Sequence, residues 1–586
     1  MTSLPELDRT PLISRLARWA REFPDDRAYT FMDYSTELDG VRIDVSWSEL
    51  ERRVDAVAAA LRQVSEPGER VAILAPQCMD YVVAFFGAMR ARLIAVPLFS
   101  PDLPGHAERL LAVYTDADPE CVVTTSSVLP QVEAFLDGNP VPRPKQIIAV
   151  DTLEPGAPWS PEEIDPDEVA YLQYTSGSTR VPAGVIITHG NLAANAEQLW
   201  AAFEGAPRVS TGVMWLPMFH DMGLVSICGL PMVYGNAGAF MDPVAFIMRP
   251  VRWLQLLSEY DDVYTGGPNF AYEYLTATVT AEEKRDLDLS GVSVFMNGAE
   301  PIRPGTLDAF FEAFQECGVK PESQVPAYGL AEATVYVTAA RKDRLPTTTA
   351  FDSEGLTQGV ARPCPEGSDQ ATTLVGCGPT WGQHVLIVDR DTRVPRPEGH
   401  VGEIWVHGPN VTKGYWGRPE QTQEVFAATL AAPMQDEVPE GPWLRTGDLG
   451  FWWGGELYVT GRIKDLIIVD GRNHYPQDIE HTVHNVHEAI RRDYVAAVPV
   501  SAQDIGGDTE GVVVIAERNR RFPIAHLDPE QIAQAARAAV KAEHDVRLHD
   551  FVLIEPGTLP RTSSAKIARS ACRQAYLDGS LTRTDL

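Results

Sequence analysis

Short apolar runs alternate with stretches of helical period over most of the chain. Between residues 71 and 150, the runs 71–74, 93–98, 121–124 and 146–150 predict strands, and 79–91, 107–116 and 128–135 predict helices. The alternation resumes further on. Helices over 192–203, 251–260 and 304–315 interleave with strands over 213–216, 262–265 and 292–296. This succession implies largely parallel sheets with helices on both faces, here as two similar α/β halves. Ahead of them, residues 8–65 predict an opening layer: a helix over 12–23, strands over 27–31 and 41–45, and a helix capped by Ser46 that runs to Leu61.

The pattern then changes twice. From about residue 340 to 378 no period survives among Thr, Gly, Pro and charged residues, which predicts a long insertion or loop. Strands return over 383–388, 402–407 and 457–460, in a β-rich section that ends in a charged turn at 461–465. Beyond it, strands over 466–469, 494–500, 511–516 and 550–554 and helices over 476–486 and 529–543 make a small α+β domain. The expected fold class is α/β, with a large N-terminal domain at 1–463 and a small α+β domain at 464–586.

A chain of 586 residues is too long for one core, and 44% hydrophobic with 22% charged residues is the balance of a soluble globular protein. The net charge of -32 argues against nucleic acid and anionic membrane surfaces as partners. The acid is unevenly spread. From Lys464 onward there are 15 Lys+Arg and 18 Asp+Glu, a net of -3, so the rest carries -29. An acidic partner meets least repulsion on the C-terminal domain. The seven cysteines are scattered, without metal-ligand spacing or a disulfide framework, which fits a reducing cytoplasm. Residues 1–10 do not read as a signal peptide. The uncharged run between Asp221 and Asp242 is long, but its glycines and Pro231 make it a poor membrane span. A buried segment lining a ligand fits better, and plain core packing stays open beside it.

One stretch carries phosphate chemistry. Between two apolar runs, residues 174–184 hold Thr175, Ser176, Gly177, Ser178 and Thr179, then Pro182 and Gly184. Glycine lets backbone approach a ligand, and hydroxyls and exposed amides donate to phosphate oxygens. It is not a Walker loop, because the chain has no Gly-Lys pair. Further motifs follow: 297–301 (Asn-Gly-Ala-Glu-Pro), 328–334 (Tyr-Gly-Leu-Ala-Glu-Ala-Thr), 443–450 (Trp-Leu-Arg-Thr-Gly-Asp-Leu-Gly), Gly461 with Arg462, and 559–569 around Lys566.

In that order these motifs resemble the adenylate-forming superfamily of acyl- and aryl-CoA ligases, amino-acid adenylation domains and luciferases, over residues 10 to 570. The resemblance implies ATP as substrate, Mg²⁺, and a small C-terminal domain mobile about a hinge near Lys464 and Asp465. It implies that Thr175, Ser176, Gly177, Ser178 and Thr179 hold phosphates. Tyr328 stacks on adenine with Gly329 beside it, among Leu330 and Ala331. Gly298, Ala299 and Glu300 form the opposite wall. Asp448 takes the ribose hydroxyls, Arg462 the ribose or α-phosphate, Glu332 the Mg²⁺, and Lys566 bridges the acyl carboxylate and the α-phosphate.

A narrower likeness comes from residues 216–224, which contain His220, and from 470–480. Ala183 where the family loop has Lys, Ala331 where Thr is common, and the 340–378 segment add to it. Together these resemble long-chain fatty acyl-AMP ligases, the branch that loads polyketide and lipopeptide synthases and is poor at making acyl-CoA. His220 resembles that family's gating residue, and a hydrogen-bonded core histidine fits it equally well. The implied reaction makes acyl-adenylate from a medium- or long-chain fatty acid and ATP. It then passes the acyl group to an acyl carrier protein domain of a polyketide or nonribosomal peptide synthase. A cytoplasmic monomer without a membrane span is expected. The alternatives are a long-chain acyl-CoA ligase and a non-catalytic adenylate- or lipid-binding relative. Arg472 and the Arg491 and Arg492 pair are the docking candidates for the carrier.

Overall fold

The computed structural model describes residues 5–103, 106–154, 159, 162–175, 182–368, 370–431, 438–469, 472–501, 504, 511–562 and 566–584. Within them the apolar runs of the first half become a six-stranded sheet. Its order is Gln146–Ala149, Cys121–Thr124, Arg70–Ile73, Ile94–Pro97, Val169–Tyr174, Gly184–Thr188. All its pairings are parallel except the last. Ile94–Pro97 and Cys121–Thr124 are buried at every residue, the mark of strands covered on both faces. Helix Met79–Arg90 is likewise buried all round.

The second sheet has eight strands, in the order Tyr336–Ala339, Gln324–Gly329, Val292–Asn297, Val263–Gly267, Thr211–Met214, Gly238–Met241, Arg27–Asp33, Val41–Ser46. The two α/β halves are the two sheets, and the expectation of a separate opening layer is corrected here. Arg27–Asp33 adds in parallel to Gly238–Met241, with Phe31 opposite Phe240 and their rings 5.1 Å apart. Val41–Ser46 then closes that edge in antiparallel register. Ser46 caps helix Trp47–Arg62 as expected, accepting from the Glu49 amide.

As far as Tyr234, the uncharged run after Asp221 folds as one helical path. Asp221–Leu224 is α, Val225–Gly229 takes the wider π turn, and Leu230–Tyr234 is α again. Pro231 sits at the start of that last segment, where its missing N–H costs least. Gly223 is required: a Cβ there would lie 2.1 Å from the Pro217 carbonyl oxygen. Among the described residues no helix is long and apolar enough to cross a membrane.

The segment 340–378 is not the patternless loop its sequence predicts. Strands Thr348–Asp352 and Ala371–Val375 pair antiparallel, with the short helix Ser353–Thr357 between them. Phe351 fills a small core against Phe451 (5.1 Å) and Tyr458 (5.3 Å), on the last two strands of a four-stranded sheet. That antiparallel sheet runs His384–Val388, Gly402–His407, Leu444–Trp453, Glu456–Arg462. From Ile467 onward the chain builds separate cores. Strands Ile490–Val500, Gly511–Arg518 and Leu548–Ile554 carry helices Pro476–His484 and Pro529–His544 on one face and Arg569–Leu577 on the other.

His189 begins helix His189–Ala202, behind a capping box between Thr188 and Asn191. Its ring is 1% exposed, and burial pulls its pKa down to about 4. Burial also pulls His484 down to about 4. A depressed histidine is neutral when folded and takes a proton when unfolded, so stability is lost as pH falls from about 6.5 towards 4. Each histidine is expected to remove about 2 kcal/mol between pH 7.5 and 5. Urea unfolding of the wild type and of His189→Gln checks this. The variant should lose less stability over that interval, and an equal loss would contradict the assignment.

Candidate active site

The carboxyl ends of three parallel strands open onto one cavity of about 440 Å³. Val169–Tyr174 runs out into Thr175, Val292–Asn297 into Gly298 and Ala299, and Gln324–Gly329 ends on Tyr328 and Gly329. Ligand crevices of open α/β sheets lie at such ends. Leu330, Ala331, Glu332, His220, Asp448, Arg462 and Lys566 also line it. At the inner end the lining turns apolar, with Leu199, Met222, Met296, Val335 and Tyr336 beside Ser226 of the π turn. Of the sequence-derived set, Ser176, Gly177, Ser178 and Thr179 lie outside the described residues.

Asp448 is the best-held group. It is 4% exposed, and Arg462 Nε sits 3.0 Å from its Oδ1, while Tyr328 Oη donates to its Oδ2 at 2.8 Å. The Asp448 charge holds the Arg462 guanidinium firmly protonated, and burial with that carboxylate drives the Tyr328 phenol far above its usual range. Each carboxylate oxygen keeps acceptor capacity for a ribose hydroxyl. The turn before Asp448 is fixed from below. Glu403, 2% exposed, accepts from Arg445 Nη2 (2.8 Å) and the Gly447 amide (3.3 Å), and Thr446 Oγ1 accepts from the Asp448 amide (3.1 Å).

Glu332 is oriented by Tyr415, a residue the sequence reading missed. Tyr415 Oη donates to Glu332 Oε1 at 2.7 Å. No spacing rule links residues 83 apart. The link exists because the Ile186 amide donates to the Gly414 carbonyl and the Trp416 amide to that of Gly184, which zips this segment onto the six-stranded sheet. Just past Glu332, Thr334 has φ 69 and ψ -61, with the Val335 amide bonded to the Ala333 carbonyl (2.9 Å): a strained γ-turn at a β-branched residue. Thr334 Oγ1 donates to the buried Asn410 carbonyl at 2.8 Å, which pins it.

One site residue gains a second reason and one site expectation is corrected. Gly329 is required whatever lies beside it. A Cβ there would lie 1.6 Å from the Val335 carbonyl oxygen, so the glycine serves the bulged pairing of Gln324–Gly329 with Tyr336–Ala339. Glu300 is not part of the cavity lining. Its carboxylate accepts from the Phe270 amide at 2.7 Å and so caps helix Asn269–Thr278. Ala299, at φ 68, turns the chain so that Gly298 and Ala299 alone face inward.

The C-terminal part supplies Lys566, and Lys464 comes from the linking turn Ile463–Asp465. Burial and Arg462 pull the Lys566 pKa down, while Glu300, Asp221 and Asp448 hold it up. Asp221 is a further acid the sequence reading quoted but did not assign. Burial pushes its carboxyl up, and Lys566 opposes that. The two parts touch at Arg303 and Asp493 (2.9 Å) and at Gln477 and the Thr460 carbonyl (2.6 Å). Arg491 leaves the docking candidates: it pairs with Glu517, which is 0% exposed, at 2.8 Å, so reversing its charge would strand a buried acid.

A cavity at strand ends, an acid on a tyrosine and an arginine, and a lysine brought in from the C-terminal part describe a nucleotide site. The sequence profile of the AMP-binding enzymes matches residues 16–416. The chain belongs to that family. The C-terminal part of this AMP-binding enzyme, 464–585, matches the AMP domain of Disco-interacting protein 2-like proteins. The whole chain is 42% identical to long-chain-fatty-acid–AMP ligase FadD26 of Mycobacterium tuberculosis, over 100% of both chains. It is 40% identical to a putative fatty-acid–CoA ligase, fadD25, of the same species, over 96% of this chain and 97% of that one. A solved fatty acyl-adenylate ligase structure, from work on the enzymes of E. coli and L. pneumophila, superposes with a TM-score of 0.85 at 30% identity, covering 99% of each chain.

Proposed function

We propose that the protein is a fatty acyl-AMP ligase. It activates a medium- or long-chain fatty acid with ATP, releases pyrophosphate, and passes the acyl group to the phosphopantetheine thiol of an acyl carrier protein. The observation that carries this is Lys566. It enters from the C-terminal part into a cavity that Tyr328, Glu332, Asp448 and Arg462 line from the large part. In the first step a carboxylate oxygen attacks the α-phosphorus and the bond to the β-phosphate breaks. Tyr328 stacks on adenine, Asp448 holds the ribose, Arg462 reaches the α-phosphate, and His220 lies by the acyl carboxylate. The Lys566 ammonium stabilises the charge that grows between carboxylate and phosphate. The apolar inner end takes the chain, at about 0.8 kcal/mol per buried methylene.

Glu332 suits Mg²⁺. Its Oε1 is held by Tyr415, and it lines the cavity where phosphates would arrive. Among the described residues no group of three or more His, Cys, Asp or Glu could cage a metal, so phosphates and water would have to complete the shell of an ion on Glu332. Bound there, Mg²⁺ would neutralise phosphate charge.

For the second step the C-terminal domain, 464–586, turns about Lys464 and Asp465 and withdraws Lys566 in the cytoplasmic, monomeric enzyme we envisage. The carrier thiol then attacks the acyl carbon and AMP leaves. A fatty acyl-CoA ligase is the second reading, and the name of the fadD25 relative favours it. The insertion speaks for the first. Its helix Ser353–Thr357 lies against strand Arg472–His474, just past the hinge, and so braces the part that must turn. Fatty-acid-dependent exchange of pyrophosphate into ATP tests the proposal. Exchange is expected with dodecanoate, and exchange only with an unrelated carboxylate would overturn it. The carrier is expected to dock on the nearly neutral C-terminal domain. Arg472→Glu and Arg492→Glu should slow carrier loading about tenfold and leave adenylation intact. Unchanged loading would remove that surface.

A further inference from the structure

Arg303 is held out to the C-terminal part by a cradle built in the large part. It stands between helix Asn269–Thr278 and helix Pro304–Phe314. Glu273 Oε1 accepts from Asn269 Nδ2 (2.8 Å), Thr306 Oγ1 (2.6 Å) and Arg303 Nη1 (3.2 Å). The Arg303 amide donates to Asn269 Oδ1 at 3.2 Å. Asn269 and Thr306 are buried, so the acid that holds the guanidinium is itself fixed. The same Nη1 donates to Asp493 Oδ1 at 2.9 Å. Among the described residues this is the one ion pair that joins a residue before 464 to one after it.

Asp493 is held as firmly. It lies where strand Ile490–Val500 bulges against Gly511–Arg518, between Ile490 and Val495, and its φ is 60. That left-handed backbone is uncommon outside glycine, and Asp and Asn tolerate it best. The Asp493 carbonyl accepts from Arg561 Nη2 (3.3 Å), and the Arg561 guanidinium lies over the Tyr494 ring (4.1 Å). Arg561 in turn closes the turn that carries Lys566. It bridges Ile567 in antiparallel register, the Thr562 amide donates to the Lys566 carbonyl (2.7 Å), and the Lys566 amide donates to Thr562 Oγ1 (3.2 Å). A continuous path runs from the large part through Arg303, Asp493 and Arg561 to the backbone of Lys566.

A lone ion pair near the surface holds little, because two long side chains lose freedom to form it. Here both partners are fixed before they meet. Arg303 also stands between two acids, and without it Glu273 and Asp493 would face each other and repel. His484 Nδ1, 3.8 Å from the same Asp493 oxygen, does not replace the charge, because burial pulls its pKa down to about 4 and leaves it neutral.

We propose that Arg303 and Asp493 are positioning residues for the first step: their contact sets the orientation in which Lys566 enters the cavity. The inference rests on the adenylation reading. Neither residue lines the cavity, so both act through Lys566 and not on substrate. Breaking the contact lowers the share of molecules in the productive orientation, which lowers kcat and leaves substrate binding by the large part alone.

The test compares the wild type, Arg303→Gln, Arg303→Lys, Asp493→Asn and the double variant Arg303→Gln, Asp493→Asn, with ATP and dodecanoate. Glutamine leaves Glu273 its bonds from Asn269 and Thr306, and asparagine keeps the left-handed backbone. Arg303→Gln should lower kcat for acyl-adenylate formation about tenfold and Asp493→Asn about threefold, with KM for ATP and dodecanoate within about twofold. Arg303→Lys should recover most of the loss. The double variant should lose less than Arg303→Gln, because removing the second acid relieves the repulsion. Acyl transfer from supplied acyl-adenylate should not slow. Unchanged kcat, losses that multiply in the double variant, or an equal loss in both steps would overturn the proposal. If Arg303→Gln does not fold, the split between the two steps in Asp493→Asn decides. Trypsin cleavage at Lys464, in the linking turn, needs no substrate. Arg303→Gln should be cut about tenfold faster at an unchanged melting temperature, and equal rates would overturn the proposal as well. A wild type that makes no acyl-adenylate would sink the adenylation reading alone, and the digestion would still decide whether the contact holds the two parts.

Discussion

Replacing Lys566 by Met lowers acyl-adenylate formation by about 10²–10³-fold and leaves acyl transfer from supplied acyl-adenylate unchanged. The size follows from removing one charged donor at the point where transition-state charge develops, which costs about 3–4 kcal/mol. The selectivity follows from where Lys566 sits. It reaches the cavity from beyond the linking turn Ile463–Asp465, the proposed hinge, whereas Tyr328, Glu332 and Asp448 belong to the large part. On the proposed rotation, a group carried by the C-terminal domain serves only the step made in this orientation. Methionine keeps the length of the stem and removes the charge. Pyrophosphate exchange measures the first step, and carrier loading from synthetic acyl-adenylate measures the second. Equal losses in both would mean that Lys566 supports the fold of the C-terminal domain.

The second large effect is expected at Arg569. Its Nε and Nη2 each donate to Glu480 at 2.7 Å, and Nη1 donates to Asp465 at 3.2 Å. The two acids fix its guanidinium in the charged form. Arg569 thus ties the start of helix Arg569–Leu577, just after Lys566, to the hinge residue and to helix Pro476–His484. Glu480 is 4% exposed and also accepts from the Ala497 amide (3.0 Å). Arg569→Met strands that acid, and breaking such a pair costs about 3–5 kcal/mol. Adenylation should fall with it, because Lys566 loses its anchor. The double variant Arg569→Met, Glu480→Leu should recover most of the stability but not the link to Asp465. A C-terminal domain as stable in Arg569→Met as in the wild type, by denaturant unfolding, would contradict this.

What was legible in the sequence follows physical lines. The inner strands Ile94–Pro97 and Cys121–Thr124 read clearly because burial on both faces leaves them almost wholly apolar. Asp448, Arg462, Glu332 and Lys566 stand out because each sits in a short local motif. The partner of Arg27–Asp33 did not, because Phe31 meets Phe240 only through the tertiary fold. The strands at 348–352 and 371–375 are Thr-rich, and of the first only Ala350 and Phe351 are buried, which leaves no period to read. Tyr415 escaped for a related reason, since it reaches Glu332 only across the fold. Gly329 stands out in its motif, but the strand pairing that forbids a Cβ there is visible only in the fold.

The central claim is that acyl-adenylate is the product passed to a carrier and not to free CoA. The direct measurement incubates the protein with ATP, Mg²⁺ and dodecanoic acid, alone, with CoA, and with a phosphopantetheinylated carrier protein. The account predicts that acyl-adenylate accumulates, persists in the presence of CoA, and is consumed by the carrier. Rapid formation of acyl-CoA would contradict it.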